Sequence, residues 1–383
     1  MQTALVLGAG IMGLSSAWAL ARAGFAVRVV EQDEIPNPRG SSVDDHRLIR
    51  HAYGAQPGYM RMVTPAYAAW DLLFRDAGER PYVRTGMLAV AAAPGGWLAD
   101  SRSALRGDGH GVEDLSAEVV GARYPFLSAA GIADAFLIEE GGVLLARRIV
   151  ELLVSLLRRR GVEFVRGRAV AVDPARAMLT LTNGSQFAGD FLVVAAGPWA
   201  PRLLPELAGR VRPTRQIVVR LSAPASLAEA WVRAPMLLDL AADGGFYAVP
   251  PVAGTPLKIG DHRFAATADP DGPRAASAAE TAAILDLARH RIRDLDSYRV
   301  LSAVACWYDV EPSEQFVVEP LGARSLVMSG FSGHGFKFGA VLGLAVARAA
   351  RDSAVAAGLP QWAAGEAPPP SGLLADIEQG PME

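Results

Sequence analysis

Six residues near the start of the chain constrain its fold more than any others: Gly8-Ala9-Gly10-Ile11-Met12-Gly13, placed directly after the apolar run Thr3–Leu7. Residues 14–23 then read as a helix, and residues 25–30 as a second β-rich run closed by Glu31. Strand, glycine turn, helix, strand and acid are the parts of a mononucleotide-binding βαβ unit. Gly8 permits the tight turn, Gly10 lets backbone approach a pyrophosphate, and Gly13 lets the helix pack close to the strand. Glu31 stands where a ribose would be gripped. An acid there disfavours a 2′-phosphate, which sets NADP aside and leaves FAD and NAD.

The rest of the composition limits what surrounds this unit. A chain of 383 residues has room for two or three domains, and 51% apolar against 20% charged residues describes a globular protein. The net charge of −3 gives no cationic surface for nucleic acid. One cysteine, Cys306, excludes an intrachain disulfide framework and any multi-cysteine metal site, so a reducing, cytoplasmic setting is expected. No basic residue precedes Arg22, and no apolar run reaches the roughly 18 residues that would cross a bilayer, so neither a secretory signal nor membrane association is expected. Of the 37 basic residues only Lys258 and Lys337 are lysine, which marks both as positions where a compact ammonium was kept.

Farther along, residues 147–160 form a basic amphipathic helix, 162–165 and 169–172 short strands, and Asn183-Gly184 a hairpin turn. Residues 191–197 make an apolar strand entering a Gly-Pro turn. Strands that return to the first sheet so late suit a flavoprotein better than a simple NAD dehydrogenase. The expected fold is α/β: a discontinuous Rossmann-like FAD-binding domain of glutathione-reductase type over 1–86, 138–215 and 299–360. An α+β substrate domain on a mainly antiparallel sheet is inserted at 87–137 and 216–298. A loose Pro-rich tail follows over 361–383.

Four further segments decide the kind of flavoprotein: Asp45-His46-Arg47-Leu48-Ile49-Arg50-His51-Ala52-Tyr53, Pro256-Leu257-Lys258-Ile259-Gly260-Asp261-His262, Ala305-Cys306-Trp307-Tyr308, and Gly330-Phe331-Ser332-Gly333-His334-Gly335-Phe336-Lys337. In this order and spacing they resemble the monomeric sarcosine oxidase family of D-amino-acid-oxidase-like flavoenzymes, over nearly the whole chain. The resemblance implies FAD, tethered through its 8α-methyl group to Cys306. It places Gly8, Gly10, Ile11, Met12, Gly13, Glu31, Ser41, Arg47, Val170, Gly197, Gly333, His334, Gly335 and Lys337 around the cofactor. Lys258 and Arg47 would serve the flavin face where oxygen reacts, with His262 and Tyr308 beside the chemistry. Arg50 and Lys337 would hold a substrate carboxylate, and Tyr247 and Trp307 would line the pocket.

The implied activity is oxidation of a secondary amino acid such as sarcosine by a monomeric enzyme, with an imine product hydrolysed by water and O₂ reduced to hydrogen peroxide. A larger N-alkylglycine, a cyclic imino acid, or electron transfer to a partner instead of O₂ are the alternatives. No metal is required, and His51, His110 and His290 carry no comparable signal. Two departures bear on the substrate: Asp44, Asp45 and His46 stand where the family has a small Gly- and Thr-containing turn, and Trp307 and Asp309 flank Tyr308.

Overall fold

The computed structural model describes residues 1–240, 245–264, 267–375 and 377. Two large sheets organise them. The first has six strands in the order Val317–Gly322, Ser325–Ser329, Phe191–Val194, Thr3–Leu7, Ala26–Glu31 and Glu163–Arg166. All neighbours are parallel except the edge strand Val317–Gly322. Its central strands read as continuous apolar runs because helices cover them. Helix Ile11–Arg22 packs on helix Gly339–Ala349 at a distance that only glycine permits: a Cβ at Gly343 would stand 2.5 Å from the Ser15 carbonyl oxygen. Trp18 and Trp70 are buried in the same core.

The second sheet has eight strands, ordered Arg299–Val310, Arg212–Ser222, Leu257–Gly260, Phe246–Val249, Met236–Leu240, Met87–Ala91, Asp134–Ile138 and Glu113–Asp114. Only Met236–Leu240 and Met87–Ala91 run parallel. Strand Arg299–Val310 pairs along its length with Arg212–Ser222, so the strand bearing Cys306 belongs to this sheet. The sequence boundary at 299 therefore falls one strand too early, because an apolar strand does not reveal which sheet will take it.

The carboxyl-terminal segment differs from the loose tail expected of its prolines. Helix Ser353–Ala363 buries Leu359 and Trp362, and Leu373 and Ile377 join the core beneath the first sheet. Spaced apolar residues anchor the segment between its proline turns. No helix among the described residues is long and apolar enough to cross a membrane.

Candidate active site

The carboxyl end of strand Thr3–Leu7 opens into a cleft lined by Gly8, Ala9, Gly10, Ile11, Met12, Glu31, Ser41, Ser42, Arg168 and Gly197. Backbone forms much of its floor, and the glycines are sterically required: a Cβ at Gly8 would lie 2.3 Å from the Ala195 oxygen, and one at Gly13 1.9 Å from the Gly8 oxygen. Gly10 begins helix Ile11–Arg22, whose first turn carries no acid. Its partial positive charge thus faces the cleft, as an anionic pyrophosphate requires. Glu31 is buried; one carboxylate oxygen accepts the Ala9 N–H (2.8 Å) and the other the Asn37 amide (2.9 Å). Burial raises its pKa despite these bonds. Such a cradle fits a dinucleotide.

A second cavity, of about 540 Å³, adjoins the cleft, and Arg47, Tyr308, Gly333 and Phe336 line both. Gly333 has φ +78°, and a Cβ there would stand 2.1 Å from the Tyr308 ring. Cys306, Tyr247, Lys258, Arg50, Lys337, His262 and His334 all face this cavity. The Cys306 sulfur accepts from the Arg47 guanidinium at 3.5 Å. Lys337, buried just before helix Gly339–Ala349, donates to Tyr53 Oη (2.8 Å) and the His334 carbonyl (3.1 Å). Arg50 lies 5.0 Å over the Tyr53 ring and 5.3 Å over Trp97, with Nη1 buried and without a hydrogen-bond partner. Neither cation has a carboxylate partner among the described residues. Burial lowers both pKa values, and Arg50 lowers that of Lys337 further. His334, buried beside Lys337, is held neutral by burial and by that charge.

Lys258 is treated differently. Its ammonium donates to Asp44 Oδ2 (2.8 Å) and the His46 carbonyl (2.9 Å), while Arg47 and Arg220 also bind Asp44, Arg220 at 2.7 Å. Burial would raise the Asp44 pKa, but Lys258 and Arg47 hold it well below the usual carboxylate range. Burial would lower that of Arg47, and Asp44 keeps it high. His46, buried beside Lys258, is pushed down to about 3. The acidic turn noted in the sequence is thus the counter-charge of this cationic cluster.

Two expected residues stand elsewhere, and a third only at the rim. Trp307 points away from the cavity, because side chains alternate along a strand and Cys306 and Tyr308 take the cavity face. Its ring packs under Arg215 at 5.6 Å, and only its carbonyl approaches the cofactor side, accepting from Ser41 Oγ. Val170 is 54% exposed and does not line the cleft; Arg168 and Ala169 do. His262 sits at the cavity mouth, half exposed, 3.3 Å from Glu314. Sequence reasoning missed Tyr53, which joins Arg50 to Lys337, and Trp97, whose contribution from a distant helix has no local signal.

A model of the FAD dependent oxidoreductase (DAO) family matches residues 3–349, spanning both the cleft and the cavity. The chain belongs to that family. As a family member it is an FAD-dependent oxidoreductase. It is 28% identical over 357 residues to N-methyl-L-tryptophan oxidase of Escherichia coli K12, covering 91% of this chain and 94% of that protein. In fold it is similar to NikD, an amino acid oxidase essential for nikkomycin biosynthesis, at TM-score 0.79 and 20% identity over 97% of this chain and 98% of that one. The L-proline dehydrogenase of P.horikoshii is likewise similar, at TM-score 0.80 and 16% identity over 95% and 97%.

Proposed function

We propose that this oxidoreductase oxidises the C–N bond of an N-substituted amino acid, with O₂ as the final acceptor. The observation that carries the reading is the pair Arg50 and Lys337, two cations facing one cavity, neither with a carboxylate partner among the described residues. Such a pair is costly unless a ligand supplies the anion, and a carboxylate suits a guanidinium fork beside an ammonium. The same field disfavours a protonated amine, so the substrate nitrogen is presented neutral, with its lone pair free and no strong base needed. Bound FAD supplies the two-electron acceptor for the hydride leaving the carbon next to that nitrogen. Water then hydrolyses the imine product. Cys306, whose sulfur faces the cavity and accepts from the Arg47 guanidinium, is the candidate for covalent flavin attachment.

The cavity favours a substrate larger than sarcosine. Its volume of about 540 Å³ and its walls of Tyr53, Trp97, Phe246 and Tyr247 suit an apolar or aromatic group beyond the amino acid core, even with part of the space taken by a flavin reaching Cys306. The similarity to an N-methyl-L-tryptophan oxidase points the same way. Anaerobic flavin reduction, followed with sarcosine, with N-methylated aromatic amino acids and with the matching decarboxylated amines, tests both statements. Fast reduction by N-methylated aromatic amino acids and little by their amines is expected. Equal reduction by acid and amine would overturn the carboxylate reading, and preference for sarcosine would overturn the larger substrate.

A further inference from the structure

Outside the cavity, three side chains that the activity does not use converge behind Arg50. Strands Arg47–Ile49 and Gly142–Leu144 are antiparallel neighbours with Ile49 opposite Gly142, which brings His51 and Glu140 together just beyond the strand ends. His110, in the loop after helix Gly96–Gly107, completes the group. His110 Nδ1 lies 2.6 Å and His51 Nδ1 3.7 Å from Glu140 Oε2, the two rings are 4.2 Å apart, and one donor atom from each residue lies within 4.8 Å of the others.

The orientation of the two rings is the informative feature. His51 is only 4% exposed; its Nε2 meets Thr64 Oγ1 at 3.2 Å, while its buried Nδ1 has no hydrogen-bond partner and faces the cluster. His110 also turns Nδ1 inward, hydrogen-bonded to Glu140, while its Nε2 lies 3.3 Å from Asp108 Oδ2 without making a hydrogen bond. The Thr64 hydroxyl at His51 Nε2 leaves Nδ1 of that ring as an unused, buried donor aimed into the cluster, and an outer oxygen on the far nitrogen is how metal-bound histidines are held. We infer that His51, His110 and Glu140 form a site for a divalent zinc-like ion. A tetrahedral ion with bonds of about 2.1 Å needs donors roughly 3.4 Å apart, a spacing this cluster brackets, and the exposed Glu140 opens the group to solvent. On binding, the ion takes the place of the proton between His110 and Glu140, which leaves to solvent.

Tag-free holoenzyme stripped with chelator, incubated with zinc chloride and dialysed, should retain one zinc per chain by elemental analysis. Its melting temperature should rise by roughly 3–5 °C at zinc a hundredfold above Kd. His51→Ala risks misfolding because the residue is buried, so the deciding variants are His110→Ala and Glu140→Gln, each expected to weaken zinc at least about tenfold. His290→Asn, on a different surface, should bind zinc as the wild type does. Failure of the wild type to retain zinc, or equal retention by the wild type and both deciding variants, would overturn the site.

Discussion

Replacing Lys337 with methionine should move ligand binding and stability in opposite directions. Arg50 and Lys337 lie 5.0 Å and 5.1 Å from the centre of the same Tyr53 ring, so their charges are at most about 10 Å apart. At an effective dielectric constant near 20, two such cations repel by about 2 kcal/mol, and Lys337 bears a desolvation cost besides. Methionine fills similar volume without either term. Its polar losses are bonds to Tyr53 Oη and the His334 carbonyl, worth about 1 kcal/mol each. The ligand-free variant should therefore be as stable as the wild type or more so. A substrate carboxylate loses one of its two cations, which costs about 2–5 kcal/mol, or roughly 30-fold to several thousand-fold in affinity.

Thermal unfolding with and without a carboxylate inhibitor, together with substrate titration of anaerobic flavin reduction, separates the two effects. The expected result is an unchanged or raised melting temperature without ligand, loss of the ligand-induced rise, and a large increase in the half-saturating substrate concentration. The sign with pH follows from the lowered Lys337 pKa: substrate affinity should fall as pH rises through that value, which lies below 10.5, and the fall should vanish in the variant. A variant that binds carboxylates as well as the wild type, or that is several kcal/mol less stable, would show that Lys337 is a structural cation and refute the reasoning.

Three other outcomes are expected. Lys258→Met should slow flavin reoxidation by O₂ about 100-fold in stopped-flow while leaving reduction within a few-fold, because Asp44 stays paired with Arg47 and Arg220 and the fold keeps its counter-charge; unchanged reoxidation would remove Lys258 from the oxygen reaction. Cys306→Ser should release flavin into the supernatant on acid precipitation, whereas the wild type should carry it into the pellet; wild-type flavin in the supernatant would rule out the thioether. Asp309→Asn should gain stability relative to the wild type as pH rises. Burial lifts Asp309 from 3.8 to about 6, so the wild type has full stability from this group below 3.8 and loses it through about 6. The variant should gain about 2 kcal/mol on the wild type between pH 4 and pH 8 in urea unfolding, and a pH-independent difference would contradict the assignment.

What the sequence made legible follows from how local each signal is. The glycine turn and Glu31 could be read because every part of a βαβ unit lies within 31 residues and each glycine answers a steric demand its neighbours impose. Lys258 and Lys337 stood out through the rarity of lysine, and the structure sets both against one cavity. Trp307 was misplaced although it sits between two cavity residues, since a one-residue step along a strand reverses the face and a resemblance of segments does not carry the face with it. The same limit explains Asp44. In sequence it is a departure from a small turn, a change that would be read as altering the substrate pocket. In space it is the shared anion of Lys258, Arg47 and Arg220, residues drawn from three segments. His51, His110 and Glu140 carry no linear pattern at all, because a strand register and a helix–loop boundary bring them together. In this chain the glycine turn of the cofactor site is written locally, whereas the charge balance around the reacting cavity comes from bringing the segment of Asp44 and Arg47 against Lys258 and Arg220 of the eight-stranded sheet. Substitutions at Asp44 should therefore change oxygen reactivity through Lys258 more than they change the choice of substrate.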